Sequence, residues 1–172
     1  MVDAKACLVN EENHVLGVAI CGCGWFAGRA HLPVIQKLMS KPAKGHPFRI
    51  RLVALCSRSQ DSIHRIARRI EPKYRDIRYY TSLDELLKDP SVDIVDLVLP
   101  ICEMSGAIEK VIKAGKCVLS EKPFASDPTS AARLWELFAK LEVDRKVAWC
   151  VLENWAWKPS LLLVKEYLQV MT

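Results

Sequence analysis

The sequence predicts a doubly wound parallel α/β sheet of six strands in the order 3-2-1-4-5-6. Three observations predict it. Short apolar runs alternate with stretches of helical period along nearly the whole chain, and parallel strands need such crossovers. The first apolar run, 15–21, passes directly into Gly22-Cys23-Gly24-Trp25-Phe26-Ala27, a glycine turn that opens a helix. That run, 15–21, is continuously apolar and bounded by the turn, as expected of a strand covered on both faces.

Residues 1–14 are polar and without period, and read as a flexible arm. Residues 15–21 form the first strand. A helix follows over 27–39, where Ala30, Val34 and Leu38 recur at helical spacing. Pro33 lies inside it and is expected to shorten or kink it. Residues 41–47 hold Pro42, Gly45 and Pro47 and read as a loop. Strand two spans 49–56. The next helix, over 59–70, has Ile63, Ile66, Ala67 and Ile70 on one face. His64, Arg65, Arg68 and Arg69 cover the other, which reads as a solvated face rather than a nucleic-acid site. A short strand at 77–80 precedes Ser82-Leu83-Asp84-Glu85, a capping box opening a short helix that ends near Pro90. Residues 92–99 give the strongest strand signal, and Pro100 stops it. A helix over 102–114 ends at Gly115. Strand 116–120 leads into Glu121-Lys122-Pro123. A helix over 129–142 carries Leu134, Leu137, Phe138 and Leu141 as its apolar stripe. Strand 145–152 and a helical run over 160–170 complete the pattern.

The 172 residues, with 51% apolar and 26% charged, suffice for one domain with its own core. A net charge of +5 permits acidic ligands and does not by itself indicate nucleic acid. No run approaches the about 20 apolar residues needed to span a bilayer. The N-terminal residues, with Asp3, Glu11 and Glu12, lack the pattern of a secretory or transit peptide, so a cytoplasmic protein is expected. Cysteines stand at 7, 21, 23, 56, 102, 117 and 150, an odd number with several in strand runs. They read as buried, reduced thiols. Cys21-x-Cys23 has no second ligand pair at zinc spacing, so no metal is expected.

Three stretches could carry chemistry. Gly22-x-Gly24-x-x-Ala27 follows a strand and opens a helix, the context in which glycines let backbone approach a pyrophosphate. At the end of strand two, where an acid would read the 2′-hydroxyl of NAD, the chain has Ser57-Arg58 instead. A guanidinium and hydroxyls suit the 2′-phosphate of NADP, so NADP is favoured and NAD is the second choice. Glu121-Lys122-Pro123 falls at the carboxyl edge of the sheet, where such folds bind ligands. Lys122 there could steer a nicotinamide or assist proton transfer. From spacing alone, a surface Lys–Glu pair before a proline turn reads equally well.

The stretches 22–33, 92–100, 114–125 and 151–159 together resemble the Gfo/Idh/MocA family of NAD(P)-dependent oxidoreductases, in its N-terminal Rossmann domain. The resemblance implies hydride transfer between a nicotinamide and a sugar-like or other small carbinol or carbonyl substrate. It places Gly22, Gly24, Trp25, Phe26 and Ala27 at the pyrophosphate turn, and Ser57 and Arg58 at the adenosine ribose. Leu99 and Pro100 would line the cleft, and Glu121 would contact the nicotinamide-side ribose. Lys122 would be catalytic, Pro123 would follow a cis peptide, and Asn154 would sit near the nicotinamide. The chain departs from the family in having Ile101-Cys102-Glu103 after Pro100, without the usual Asn and His. Family members carry a C-terminal α/β substrate domain, and the expectation here is that this domain is missing. The expected division is an arm to 14, a dinucleotide-binding domain over 15–155, and the start of a truncated second domain over 156–172. His31 is expected to pack the first helix. Trp155, Trp157 and the apolar run 161–164 would be exposed and seek a partner, a second copy or a further domain. The alternative is a nucleotide-binding or partner-binding module without turnover.

Overall fold

The computed structural model describes residues 14–41, 48–145, 147–153 and 158–159. Six parallel strands form one sheet in the order β3-β2-β1-β4-β5-β6. They are β1 (His14–Cys21), β2 (Phe48–Cys56), β3 (Arg78–Tyr80), β4 (Ile94–Leu97), β5 (Cys117–Ser120) and β6 (Trp149–Val151). The crossovers carry α1 (Leu32–Ser40), α2 (Gln60–Ala67), α3 (Leu83–Leu86), α4 (Ile101–Lys113) and α5 (Pro128–Arg145). The sheet order read from the sequence is therefore observed, and β1 lies at the centre.

The double winding is written in the side-chain alternation of β1. Val18 and Ile20 pack with Leu32, Ile35, Ile63 and Ile66 on the α1 and α2 face. Ala19 and Cys21 pack with Met104, Ile108, Leu134 and Phe138 on the α4 and α5 face. Successive strand residues point to opposite faces, so a strand with helices on both sides must be apolar throughout. The register of β1 against β2 shifts by one residue between Val18 and Ala19. That shift lets Val53 and Ala54 both join the α4 face, while Leu52 and Leu55 serve the other.

Pro33 acts as expected, with a specific local form. The turn before it, Ala27–His31, is π-helical, and the Leu32 N–H reaches back to the Ala27 carbonyl. A proline has no N–H and crowds the preceding turn, and a widened turn accommodates both.

Four expectations are corrected. Ser82 stands at the N-terminus of α3, but its side chain makes no capping bond. With only four residues in α3, the helix is held instead by the Leu86 N–H to the Ser82 carbonyl. The helix read as 59–70 ends at Ala67, with Arg68, Arg69 and Ile70 in a turn that keeps Ile70 buried. Strand six is shorter than 145–152, because no glycine or proline stops α5 before Arg145. Cys150 is exposed, since β6 pairs with β5 alone and lies at the sheet edge, whereas Cys21, Cys23 and Cys56 are buried and reduced. His14, read as the end of the arm, opens β1, while the rest of the arm, the loop 42–47, Asn154, Trp155, Trp157 and the run 160–172 lie outside the described residues. Among the described residues no helix is long and apolar enough to cross a membrane.

Candidate functional site

All the expected site residues that the structure describes lie at the carboxyl ends of β1, β2, β4 and β5. The chain reverses sharply after β1. Gly22 donates its N–H to the Cys56 carbonyl at 2.8 Å, which ties the turn to the end of β2. Its φ of +105° is a conformation that favours glycine. A Cβ at Gly22 would lie 2.7 Å from the Val98 carbonyl carbon and closer still to its oxygen. Val98 is itself fixed by donating its N–H to the Cys21 carbonyl at 2.8 Å. Gly24 differs: a Cβ there would meet nothing within 4 Å, because it faces open cleft.

The helix begins at Trp25 and runs into α1, so its first N–H groups lack intrahelical acceptors and its positive dipole end meets the turn. The three residues that follow Gly24 have separate roles. Trp25 is exposed, with the Arg29 guanidinium 5.2 Å above its ring. Phe26 is partly exposed and sets its ring edge against His31 at 5.3 Å. Ala27 is fully buried.

A cleft of about 700 Å³ opens from this turn toward β2, β3 and α4. Gly22, Gly24, Ser57, Arg58, Leu99 and Pro100 line it, so six of the sequence-derived candidates converge on one cavity. Ser57 is anchored by its N–H to the Tyr80 carbonyl at 3.0 Å, and Ser59 caps α2 by accepting from the Ser62 N–H. Arg58 is exposed and pairs with Glu103 of α4 at 3.0 Å. Lys110 and Asp84 form a second pair in the wall, 2.9 Å apart. The cleft matches a dinucleotide in chemistry: bare backbone at the turn, a helix start behind it, and a cation beyond the second strand.

The other part of the site follows β5. The Glu121 N–H bonds the Leu97 carbonyl at 3.2 Å, placing Glu121 beside the end of β4. The Lys122–Pro123 peptide is cis, and Lys122 is exposed. Glu121 belongs to a trio whose other two members are buried. His31 donates from Nδ1 to Asp96 Oδ2 at 2.8 Å, and its Nε2 is 3.3 Å from Glu121 Oε1. Burial pushes the imidazole down, but the hydrogen bond and charge of Asp96, with Glu121 behind them, outweigh it and raise its pKa. Near the turn, the Cys23 thiol is pushed up to about 12, chiefly by burial, so it is a poor nucleophile at neutral pH.

Sequence reasoning missed three participants. His31 does pack against the fold, and it also stands between Asp96 and Glu121. Asp96 sits inside the apolar run 92–99, and a carboxylate within a strand covered on both faces was the available signal. Glu103 carries no such signal, because its relation to Arg58 exists only once α4 faces β2.

Comparison with known proteins decides the affiliation. The profile of the oxidoreductase family with an NAD-binding Rossmann fold matches residues 16–148. The chain belongs to the Gfo/Idh/MocA oxidoreductase family. It is 32% identical over 157 residues to the uncharacterized protein YMR315W of Saccharomyces cerevisiae, covering 90% of this chain and 40% of that protein. An NAD binding oxidoreductase from Klebsiella pneumoniae superposes with a TM-score of 0.75 at 27% identity, covering 90% of this chain and 38% of that one. KijD10, a 3-ketoreductase from Actinomadura kijaniata solved in complex with NADP, superposes at 0.72 with 24% identity, covering 91% and 44%. The chain thus spans about 40% of the length of the curated Gfo/Idh/MocA relatives it matches.

Proposed function

We propose that the chain forms the cofactor-holding part of a Gfo/Idh/MocA oxidoreductase, with NADP(H) preferred over NAD(H). The observation that carries this is the Gly22 turn, locked against Val98, with Gly24 open to a cleft that ends at Arg58. In this reading the backbone of Gly22 and Gly24 and the helix start at Trp25, Phe26 and Ala27 hold the pyrophosphate. Ser57 and Arg58 hold the adenosine ribose and its phosphate, since β2 ends without a carboxylate. Leu99 and Pro100 wall the cleft. Glu121 binds the ribose at the nicotinamide end, with Asn154 as a further contact. The bound nicotinamide would supply hydride transfer. Lys122 would hold a substrate oxygen and give or take its proton.

The substrate class proposed is a sugar-like or small carbinol or carbonyl compound. KijD10, a 3-ketoreductase, supports that choice through a shared fold. Turnover is proposed for the protein in which this domain meets a substrate-binding domain. A fluorescence titration with NADPH and NADH tests the reading. Saturable binding, tighter for NADPH, is expected. No binding of either at millimolar cofactor overturns it.

A further inference from the structure

The His31 trio contains more than packing requires. Its members come from three elements: His31 from the helix after the glycine turn, Asp96 from β4, and Glu121 from the end of β5. Each carboxylate faces a different ring nitrogen. Ionised carboxylates accept hydrogen bonds and cannot donate them, so satisfying both requires a hydrogen on each nitrogen. Burial lowers the His31 pKa, but Asp96 and then Glu121 raise it overall, so this arrangement favours the imidazolium. The charged groups facing it are Asp96 and Glu121. On its own helix Phe26 covers it with a ring edge, and Arg29 is turned onto Trp25.

The two carboxylates are not equivalent. Asp96 is fully buried, and its Oδ1 already has no hydrogen-bond partner. Glu121 is half-buried at the edge of the site. If His31 loses a proton, one nitrogen becomes an acceptor. Leaving Asp96 without its remaining partner costs more than leaving Glu121, which can reach water. The hydrogen stays on Nδ1, and the Nε2 lone pair then repels Glu121.

We propose that His31, clamped by Asp96, is the positioning residue for Glu121, and that its protonated state sets the affinity of the nicotinamide end of the cofactor site. The inference rests on the dinucleotide reading above. His31 itself is not a catalytic residue here. It acts through Glu121, and its influence stops short of the adenosine end, where Arg58 and Glu103 lie.

Two ligands separate these ends: NADH, which spans both, and ADP, which lacks the nicotinamide riboside. Dissociation constants for both are measured with the 172-residue chain over a pH series that runs upward through the loss of the His31 proton, above its ordinary 6.5. NADH binding should weaken about tenfold as pH rises, the scale of one hydrogen bond to a charged group. ADP binding should stay flat. His31→Gln and Glu121→Gln should each weaken NADH at pH 7, abolish the pH dependence and spare ADP. The double variant should be no worse than either single one, because they act as one unit. The proposal is overturned if wild-type NADH and ADP affinities move in parallel with pH. Equal loss of both ligands in His31→Gln, or additive losses in the double variant, overturns it too. If His31→Gln does not fold, the wild-type pH curves and Glu121→Gln decide. Absence of any NADPH, NADH or ADP binding by the wild type overturns the dinucleotide reading as well. NADH binding without pH dependence overturns this inference alone.

Discussion

Replacing Gly22 by alanine tests the foundation of the site. Two separate costs arise. A φ of +105° is strained for any residue with a Cβ, by about 1–2 kcal/mol. The new methyl would also overlap the Val98 carbonyl, with the carbonyl carbon at 2.7 Å. That obstacle is backbone, and it cannot rotate away as a side chain could. The Val98 N–H is bonded to the Cys21 carbonyl, and Gly22 to the Cys56 carbonyl, so moving either strand end breaks a 2.8 Å bond. One such bond contributes about 1 kcal/mol, and overpacking adds about 1–3 kcal/mol. The sum is a loss of roughly 3–6 kcal/mol, or roughly 6–24 °C in Tm for a domain of this size. Gly24→Ala is the control, since its Cβ enters open space. It should change stability by less than about 0.5 kcal/mol while weakening NADPH, because the methyl enters the space proposed for pyrophosphate. Thermal and urea unfolding, each with and without NADPH, measure both variants. If Gly22→Ala melts within about 1 °C of the wild type, the account of this turn is wrong.

Three further outcomes are expected. Arg58→Ala should weaken NADPH by about 10- to 100-fold, the range for charge-assisted hydrogen bonds, and leave NADH nearly unchanged in a paired titration. Glu103→Gln frees Arg58 from its carboxylate partner and should tighten NADPH a few-fold, with the gain shrinking at high salt because the pair is exposed. Asp89→Asn should flatten the acid limb of the stability curve. Burial alone would raise the Asp89 pKa, but the Ser91 N–H, the Tyr80 and Ser91 hydroxyls and the Arg78 guanidinium hold it below its ordinary 3.8. A depressed folded pKa contributes stability that is present above the unfolded value and lost as pH falls through the folded one. The wild type should therefore lose stability below about pH 4, and the variant should show less of that loss in urea melts at pH 2–6.

Much of the architecture was legible because the controlling signals are local. The consecutive apolar residues of β1 required helices on both faces, and the glycine turn fixed the polarity of the first crossover. Element ends were less legible. Nothing in residues 66–70 announces that the helix stops at Ala67, and the missing Ser82 cap reflects a helix too short to use it. The site divided the same way. Gly22, Gly24, Ser57 and Arg58 could be found because each stands at the end of a recognisable strand. Glu103 could not be assigned to Arg58, because the two are linked only by the order of the strands.

The two charged clusters at this sheet edge differ in a way that residue types alone do not reveal. Arg58 and Glu103 meet in solvent, where their attraction is weak and screened, so an incoming phosphate can displace the carboxylate at little cost. Asp96 and His31 meet out of solvent, where no ion competes and a missing proton leaves a charge without a partner. The exposed pair suits choosing between ligands that differ by a phosphate. The buried one suits holding a fixed geometry between three elements. A sequence shows an arginine, a histidine and three carboxylates; burial is what sets the exposed Arg58–Glu103 pair apart from the contact of His31 with Asp96.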